Sequence, residues 1–358
     1  MEEWIKCPLG DILNFRRGHD LPKTSMIPGD IPVAGSNGII GFHNVATPIS
    51  PCITIGRSGN VGTPYIYDKC WAHNTVLYID DHKGNDPRYL YYLLKTLPLA
   101  SFGGGSAVPT LNRNHIHPLE VVFCKDIELQ KKIAGILSKI DDKIELNRQI
   151  NDNLEQQASS LLSDWISTYP CRTYKLSDIC KYANAKCETG NLTPQNYIST
   201  ENMLPNKKGI VEASNIPTGK ATCYKVDDVL IANIRPYFQK IWKADINGGC
   251  SADVLCIRAN IESHSPILYW LLHQDAFFEY VMTGAKGCKM PRGDKQHIMN
   301  WSIDLPEVQY WADLATQLGS IDQQIAYNRI ESINLSNLRD TLLPKLMSGE
   351  IKINEIDC

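Results

Sequence analysis

Apolar positions recur along two stretches of the chain at alternating spacings of four and three. In the first, Ile133, Leu137, Ile140, Ile144, Asn147, Asn151, Leu154, Ala158 and Leu161 fall on one line. In the second, Leu314, Leu318, Ile321, Ile325, Asn328, Ser332, Leu335, Arg339 and Leu342 do the same. This spacing is the a/d seam of a coiled coil. A helix of about 32 residues reaches ~48 Å, and a narrow apolar stripe of that length needs another helix to cover it. The chain supplies one. Asparagine stands at the midpoint of both seams, where a polar residue lowers stability and fixes register. The pattern predicts an antiparallel pair with Asn147 and Asn328 facing each other across a local two-fold; the alternative is that both point into a wet groove.

The two stretches are copies of one another. "KIDDKIELNR" (Lys139–Arg148) reappears as "SIDQQIAYNR" (Ser320–Arg329), and at the same offset of 181 eleven identities run from Ala134/Ala315 to Leu162/Leu343. Solenoid repeats have periods of roughly 20–50 residues, so this offset marks a duplicated domain. The segments before the helices echo each other too. "LGDIL" (Leu9–Leu13) matches "LSDIC" (Leu176–Cys180), and "YLYYLL" (Tyr89–Leu94) matches "ILYWLL" (Ile267–Leu272). "GGGSAVPTLNRNHI" (Gly103–Ile116) matches "AKGCKMPRGDKQHI" (Ala285–Ile298) at Gly105/Gly287, Pro109/Pro291, His115/His297 and Ile116/Ile298. Short apolar runs such as "PCITIGR" and "DDVLIANIRPY" read as strands. The predicted fold class is therefore α+β. Two β-rich mixed domains, residues 1–128 and 169–306, alternate with helical segments 129–168 and 307–358, the second including a C-terminal tail. The helices form a long antiparallel coiled coil, and the whole is an internal pseudo-two-fold repeat.

Composition narrows the class. At 358 residues, 43% hydrophobic and 21% charged, the chain is a multidomain globular protein. No apolar run reaches the ~18 residues of a membrane span. "MEEWIKCPLG" has no signal-peptide core, so the cytoplasm is the expected location and no membrane partner is expected. The twelve cysteines include no C-x-x-C pair, which points to scattered reduced thiols and to no metal site. The net charge of −3 excludes a generally sticky nucleic-acid binder. Residues 171–306 carry 16 Lys/Arg against 13 Asp/Glu, whereas 307–358 carry 4 against 8. DNA, if bound, must be bound by particular loops.

These motifs, together with "LIANIRPYFQKIW" (Leu230–Trp242), "GGCSADVL" (Gly248–Leu255) and the closing "LLPKLMSGEI" (Leu342–Ile351), resemble the specificity (S) subunit of Type I restriction–modification systems over essentially the whole chain. The resemblance implies that the two globular domains are target-recognition domains, each reading half of a bipartite double-stranded DNA target. The helices between them would measure the unread gap and dock two methylation (M) subunits, with restriction (R) subunits joining in some complexes. Antiparallel helices bring two similar domains to one duplex in related orientations, the logic by which dimeric repressors use half-site spacing. The resemblance also places a partner surface on the exposed helix flanks and at Leu342, Leu343, Leu346 and Met347; packing within the bundle is the equal alternative for those four. Little chain precedes Trp4 or follows Ile351, so closure of the repeat through the termini is expected to be minimal.

Base readout needs Arg/Lys or Asn/Gln at base edges, and phosphate contacts need cations, hydroxyls and backbone N–H groups. In the first domain the candidates are Arg57, Ser58 and Asn60 on "GRSGNVG", with Ser106, Thr110, Asn112 and Arg113 on the later Gly-rich loop. In the second they are Asn233, Arg235, Tyr237 and Lys240, with Lys286, Lys289, Arg292 and Lys295. A Gly-rich turn often only turns, and a charged loop is often only solvated. The second cationic loop, with four cations against Asp294, favours DNA; for Arg57 and Arg235 the two readings stand level. His115 and His297 are expected to pack or cap rather than catalyse.

Catalytic motifs are missing. "NIRPYF" has the wrong residues between Asn233 and Pro236 for an adenine methyltransferase, "FGGGS" lacks the strand–loop–helix context of a cofactor loop, and no phosphate-binding P-loop is present. Asp141 and Asp142 of "KIDDK" read as a solvated helix face. No catalytic residue and no cofactor are expected; methyl transfer and strand cleavage would belong to partners. Two other classes remain: a self-contained DNA methyltransferase or nuclease, opposed by the missing motifs, and a coiled-coil protein-binding adaptor, opposed by the doubled domains and the cationic loop.

Overall fold

The computed structural model describes residues 4–104, 109–351 and 353. Tertiary contacts divide the chain into two units, residues 1–146 with 331–358 and residues 147–330. Both boundaries fall inside long helices, Ile127–Thr168 and Trp311–Met347, so each unit holds one globular domain and a part of each helix. The first helix starts at Asp126, whose carboxylate accepts from the Glu128 and Leu129 N–H groups, and it stops just before Pro170. The second ends at Met347, and the chain turns away at Gly349. Its φ of 75° suits glycine, and a Cβ there would stand 2.6 Å from the Trp4 indole.

Within the first unit the domain is built from three sheets. A two-stranded ribbon pairs Trp4–Pro8 with Glu120–Cys124. A four-stranded antiparallel sheet runs in the order Asn14–Arg17, Val76–Asp81, Cys52–Gly56, Pro64–Tyr67. A smaller sheet places Ile31–Gly35 between Gly38–His43 and Trp71–Ala72. The run Cys52–Gly56 is buried throughout, as expected of a central strand covered on both faces. Helix Pro87–Thr96, capped by Asp86 on the Tyr89 N–H, buries Leu90, Leu93 and Leu94 in this core. Ile133, Ala134 and Leu137 of the first long helix join the same core. So do Leu343, Leu346 and Met347 of the second, with Leu342 packed against them.

The second unit repeats the plan. The ribbon is Cys171–Lys175 with Ser302–Pro306. The four-stranded sheet runs Cys180–Tyr182, Val254–Ala259, Val229–Ala232, Ile241–Lys243, again with a fully buried central strand. In both domains the ribbon leads into a four-residue helix, Leu9–Ile12 and Leu176–Ile179, which is what the "LGDIL"/"LSDIC" echo encodes. The second sheets differ: here Lys186–Glu188, Lys220–Tyr224, Gly248–Cys250 and Tyr197–Ile198 form four strands.

The long helices pack antiparallel within each unit. In the first, Arg339 pairs with Asp141 at 2.7 Å and Lys143 with Glu331 at 3.0 Å. In the second, Asn147 Nδ2 lies 3.4 Å from the Asn328 carbonyl and Asn328 Nδ2 donates to Asn151 Oδ1 at 2.8 Å. Trp165 Nε1 donates to the Tyr310 carbonyl further along. Asn147 and Asn328 are buried, and a wet groove does not describe them. Asp141 corrects another expectation: it is no solvated side chain, since it accepts from the Tyr92 hydroxyl as well as from Arg339. Among the described residues no helix is long and apolar enough to cross a membrane, and the described cysteines are free thiols.

Candidate nucleic-acid interface

Each domain brings its two candidate loops side by side, by the same backbone bonds. In the first, the loop leaving strand Cys52–Gly56 is tied to the Gly-rich loop: Gly59 N–H donates to the Pro109 carbonyl, and Leu111 N–H to the Arg57 carbonyl. Gly104 and Thr110 exchange two bonds at 3.0 and 2.8 Å, closing a small hairpin. In the second, Arg235 N–H donates to Pro291, Gly293 N–H donates to Asn233, and Lys286 and Arg292 exchange two bonds at 2.9 Å. The matched pair Pro109/Pro291 thus supplies the same carbonyl in both domains. Gly62, at a φ of 82° and pressed against Leu99 and Ala100, completes the first loop.

In the first domain Ser58 and Thr110 face each other as a β-bridge, and Asn60 is exposed beside them. Arg57 is half-buried, and its guanidinium donates to the Asn74 carbonyl at 3.3 Å. Two further candidates, both exposed, also make bonds within the domain. Asn112 caps the short helix Arg113–Ile116 through the Asn114 N–H, and Arg113 donates to the Phe15 carbonyl at 3.0 Å. Ser106 lies outside the described residues. His115 is exposed; the packing role falls to His117, which stacks on Phe15 and accepts from its N–H.

In the second domain Lys289 is exposed at the hairpin tip. Lys286 pairs with Asp294 at 2.6 Å, and Arg292 with Asp253 at 3.1 Å. Asp294 also caps the helix Lys295–Met299, and its bond to Lys286 with the two capping N–H groups holds the carboxyl down at about 2. Asp253 was absent from the sequence reading of this loop and offsets part of its positive charge. Lys295 lies over the Tyr182 ring. Lys240 turns inward to the Thr200 carbonyl at 2.6 Å, and burial lowers its pKa. Tyr237 is exposed; Asn233 and Arg235 are half-buried beneath the loop, with Asn233 Oδ1 and Arg235 Nε making no hydrogen bond within the protein. His297 stacks on Tyr280 at 4.2 Å, as a packing residue does.

Residues that sequence reasoning passed over join these platforms. Arg17 pairs with Leu77 of the strand Val76–Asp81, two residues after Thr75, whose carbonyl accepts from the Arg57 N–H. Lys208 is exposed on the turn Pro205–Gly209, whose Asn206 and Lys207 N–H groups donate to the Phe238 and Gln239 carbonyls. The turn signal "PNKKG" was readable; its neighbour was not. The residues expected at a partner surface also resolve. Leu343, Leu346 and Met347 are buried in the first unit's core and Leu342 lies against it, so packing is the reading their burial fits.

Comparison with known proteins agrees with this geometry. The family model described as "Type I restriction modification DNA specificity domain" matches residues 1–156. The MjaIX specificity subunit of Methanocaldococcus jannaschii is 25% identical over 75% of this chain and 70% of its own length. A putative type I specificity subunit of Mycoplasma genitalium, S.MgeORF438P, is 23% identical over 96% of this chain and 93% of its own. The crystal structure of the S subunit of a type I restriction–modification system from M. genitalium superposes with a TM-score of 0.62 at 18% identity, covering 96% of both chains. Two similar α+β domains, each combined with parts of two long helices, are the fold the chain shares with that structure. Residues 1–156 match that specificity-domain family, and over most of its length the chain is similar to specificity subunits of type I restriction–modification systems.

Proposed function

We propose that the chain reads a bipartite double-stranded DNA target, one part with each globular domain, and carries two methylation subunits on its long helices while performing no chemistry itself. The observation that carries this reading is the duplicated platform. Two loops per domain, joined by the same carbonyl of Pro109 or Pro291, present hydroxyl, amide and cationic side chains at the end of a central strand. Backbone N–H groups and cations suit phosphate contact, while the differing side chains of the two loops suit different half-sites.

The helices support the protein-binding half of the proposal. Tyr327, Ile330, Ile333 and Leu338 of the second long helix are large apolar side chains left about half exposed, and these, rather than Leu342–Met347, suit a partner protein. Restriction subunits would join through the methylation subunits, and the complex would act in the cytoplasm on cellular DNA.

Expressing the chain with its methylation partner in a host and sequencing the methylome tests the proposal. A two-part motif with a fixed gap is expected, and exchanging residues 169–306 for those of a relative should change one half only. Methyl transfer by the purified chain alone, or a motif without a gap, would overturn it.

A further inference from the structure

By the matched bonds of Gly59 to Pro109 and Arg235 to Pro291, the second domain has Tyr237 and Phe238 where the first has Val61 and Gly62. Both rings are exposed, 49% and 38%, and they pack on each other with centroids 4.7 Å apart. The turn that carries them is held in a conformation the chain does not adopt freely. Arg235 and Gln239, which bracket it, sit at φ 52° and 49°; Asn206 and Lys207, which bond to it, sit at 56° and 62°. Four of the six non-glycine residues at positive φ among the described residues are therefore gathered at this one place. Each such residue is strained and persists only where the surroundings impose it.

The surroundings are explicit. Arg235 N–H is tied to Pro291 of the cationic hairpin, Pro236 is buried, and the Phe238 and Gln239 carbonyls accept from the neighbouring turn. Lys240 Nζ lies 6.0 Å from the Phe238 ring centroid, and Lys208 and Lys289 are exposed on the adjoining segments. A rigid pair of aromatic rings ringed by cations fits a partner with stacked π faces inside a negatively charged frame. Duplex DNA has both features.

We infer that the Arg235–Gln239 turn is an aromatic wedge that enters the base stack of the half-site read by the second domain, a device the first domain lacks. The inference rests on the DNA-reading proposal above and adds to it that one half-site is read partly by its deformability. Pyrimidine–purine steps, which unstack most readily, are the favoured entry point.

The test uses the chain assembled with its methylation subunits on the target duplex defined by methylome sequencing. 2-Aminopurine is placed in turn at each position of both half-sites apart from the methylated base. Fluorescence should rise on binding at one step in one half-site only. Y237S/F238S should abolish that rise and weaken binding roughly ten- to hundredfold, the loss expected when stacking on an aromatic is removed, while the other half-site stays protected from nuclease. Y237S alone, with an unchanged melting profile, serves if the double variant folds poorly. A rise in neither half, or one that survives both variants, overturns the wedge, as does loss of methylation-subunit capture with DNA signals unchanged. If wild-type complex protects no two-part sequence at all, the underlying proposal fails instead.

Discussion

Tyr92 donates its hydroxyl to Asp141 at 2.7 Å, and in the other unit Trp270 donates its indole N–H to Asp322 at 2.8 Å. Tyr92 and Trp270 occupy the same place in the echoed "YLYYLL" and "ILYWLL"; Asp141 and Asp322 occupy the same place in the repeated helix. Each globular domain is thus fastened to its helix by an aromatic donor on a carboxylate. The countercharge is recruited differently: Arg339 of the facing helix serves Asp141, and Lys243 of a sheet strand serves Asp322.

Removing the donor leaves a half-buried carboxylate short of one partner. Trp270→Phe and Tyr92→Phe should each destabilise by about 1–3 kcal/mol, the cost of an unsatisfied polar group. Urea unfolding checks this, with a lower midpoint and an unchanged slope. Equal stability of both variants to wild type would show that the pairs are incidental.

The asparagines behave as a network. Asn328, buried, accepts from Gln324 and donates to Asn151. Asn328→Ala should cost about 1–3 kcal/mol by stranding those amides. Thermal or denaturant unfolding reads it out; a stability gain would mean that the amides contribute nothing.

Glu155 and His273 give the second unit opposing pH responses. Burial, with Asp152 nearby, raises Glu155 to about 7, and burial, with Lys207 nearby, lowers His273 to about 3. Glu155 is raised above its ordinary 4.5, so its contribution is full below that value and is lost as pH rises through 7. His273 is depressed below 6.5, so its contribution is present above 6.5 and is lost as pH falls toward 3. Between about 4.5 and 6.5 the two oppose each other. Glu155→Gln should therefore gain stability relative to wild type on going from pH 5 to pH 8, measured by urea unfolding. A pH-independent difference would contradict the assignment.

On DNA, neutralising Lys289 and Arg292 together should weaken binding to all sequences and reduce the salt slope by up to about 1.8, at 0.9 per phosphate contact. Arg292 is shared with Asp253, so the observed change should fall below that ceiling. Fluorescence anisotropy across a salt series measures it, and an unchanged slope would remove these residues from the backbone contacts.

Much of the architecture was legible because it is periodic. The four-three spacing gave both long helices and marked Asn147 and Asn328, and the echoed loop sequences marked segments that the same backbone bonds join in each domain. What stayed hidden depends on partners far away in sequence. Arg113 bonds to Phe15, and Asp141 is claimed by Tyr92 and Arg339. Nothing near these residues announces such roles. His117 was passed over for His115 because only the matched histidine stood out in the repeat. The smaller sheets were unreadable for another reason: strands of two to six residues, with a parallel pair in each sheet, leave no dependable alternation.

The unit made of residues 147–330 is one continuous stretch, whereas the other needs Leu343, Leu346 and Met347 to close around Ile133 and Leu137. On the ribosome the order of completion is therefore inverted. The segment synthesised first waits, with its apolar floor open, until the last residues of the chain emerge, while the inner stretch can finish ahead of it. A polypeptide cut short after residue 330 would lose the closure of the part made earliest.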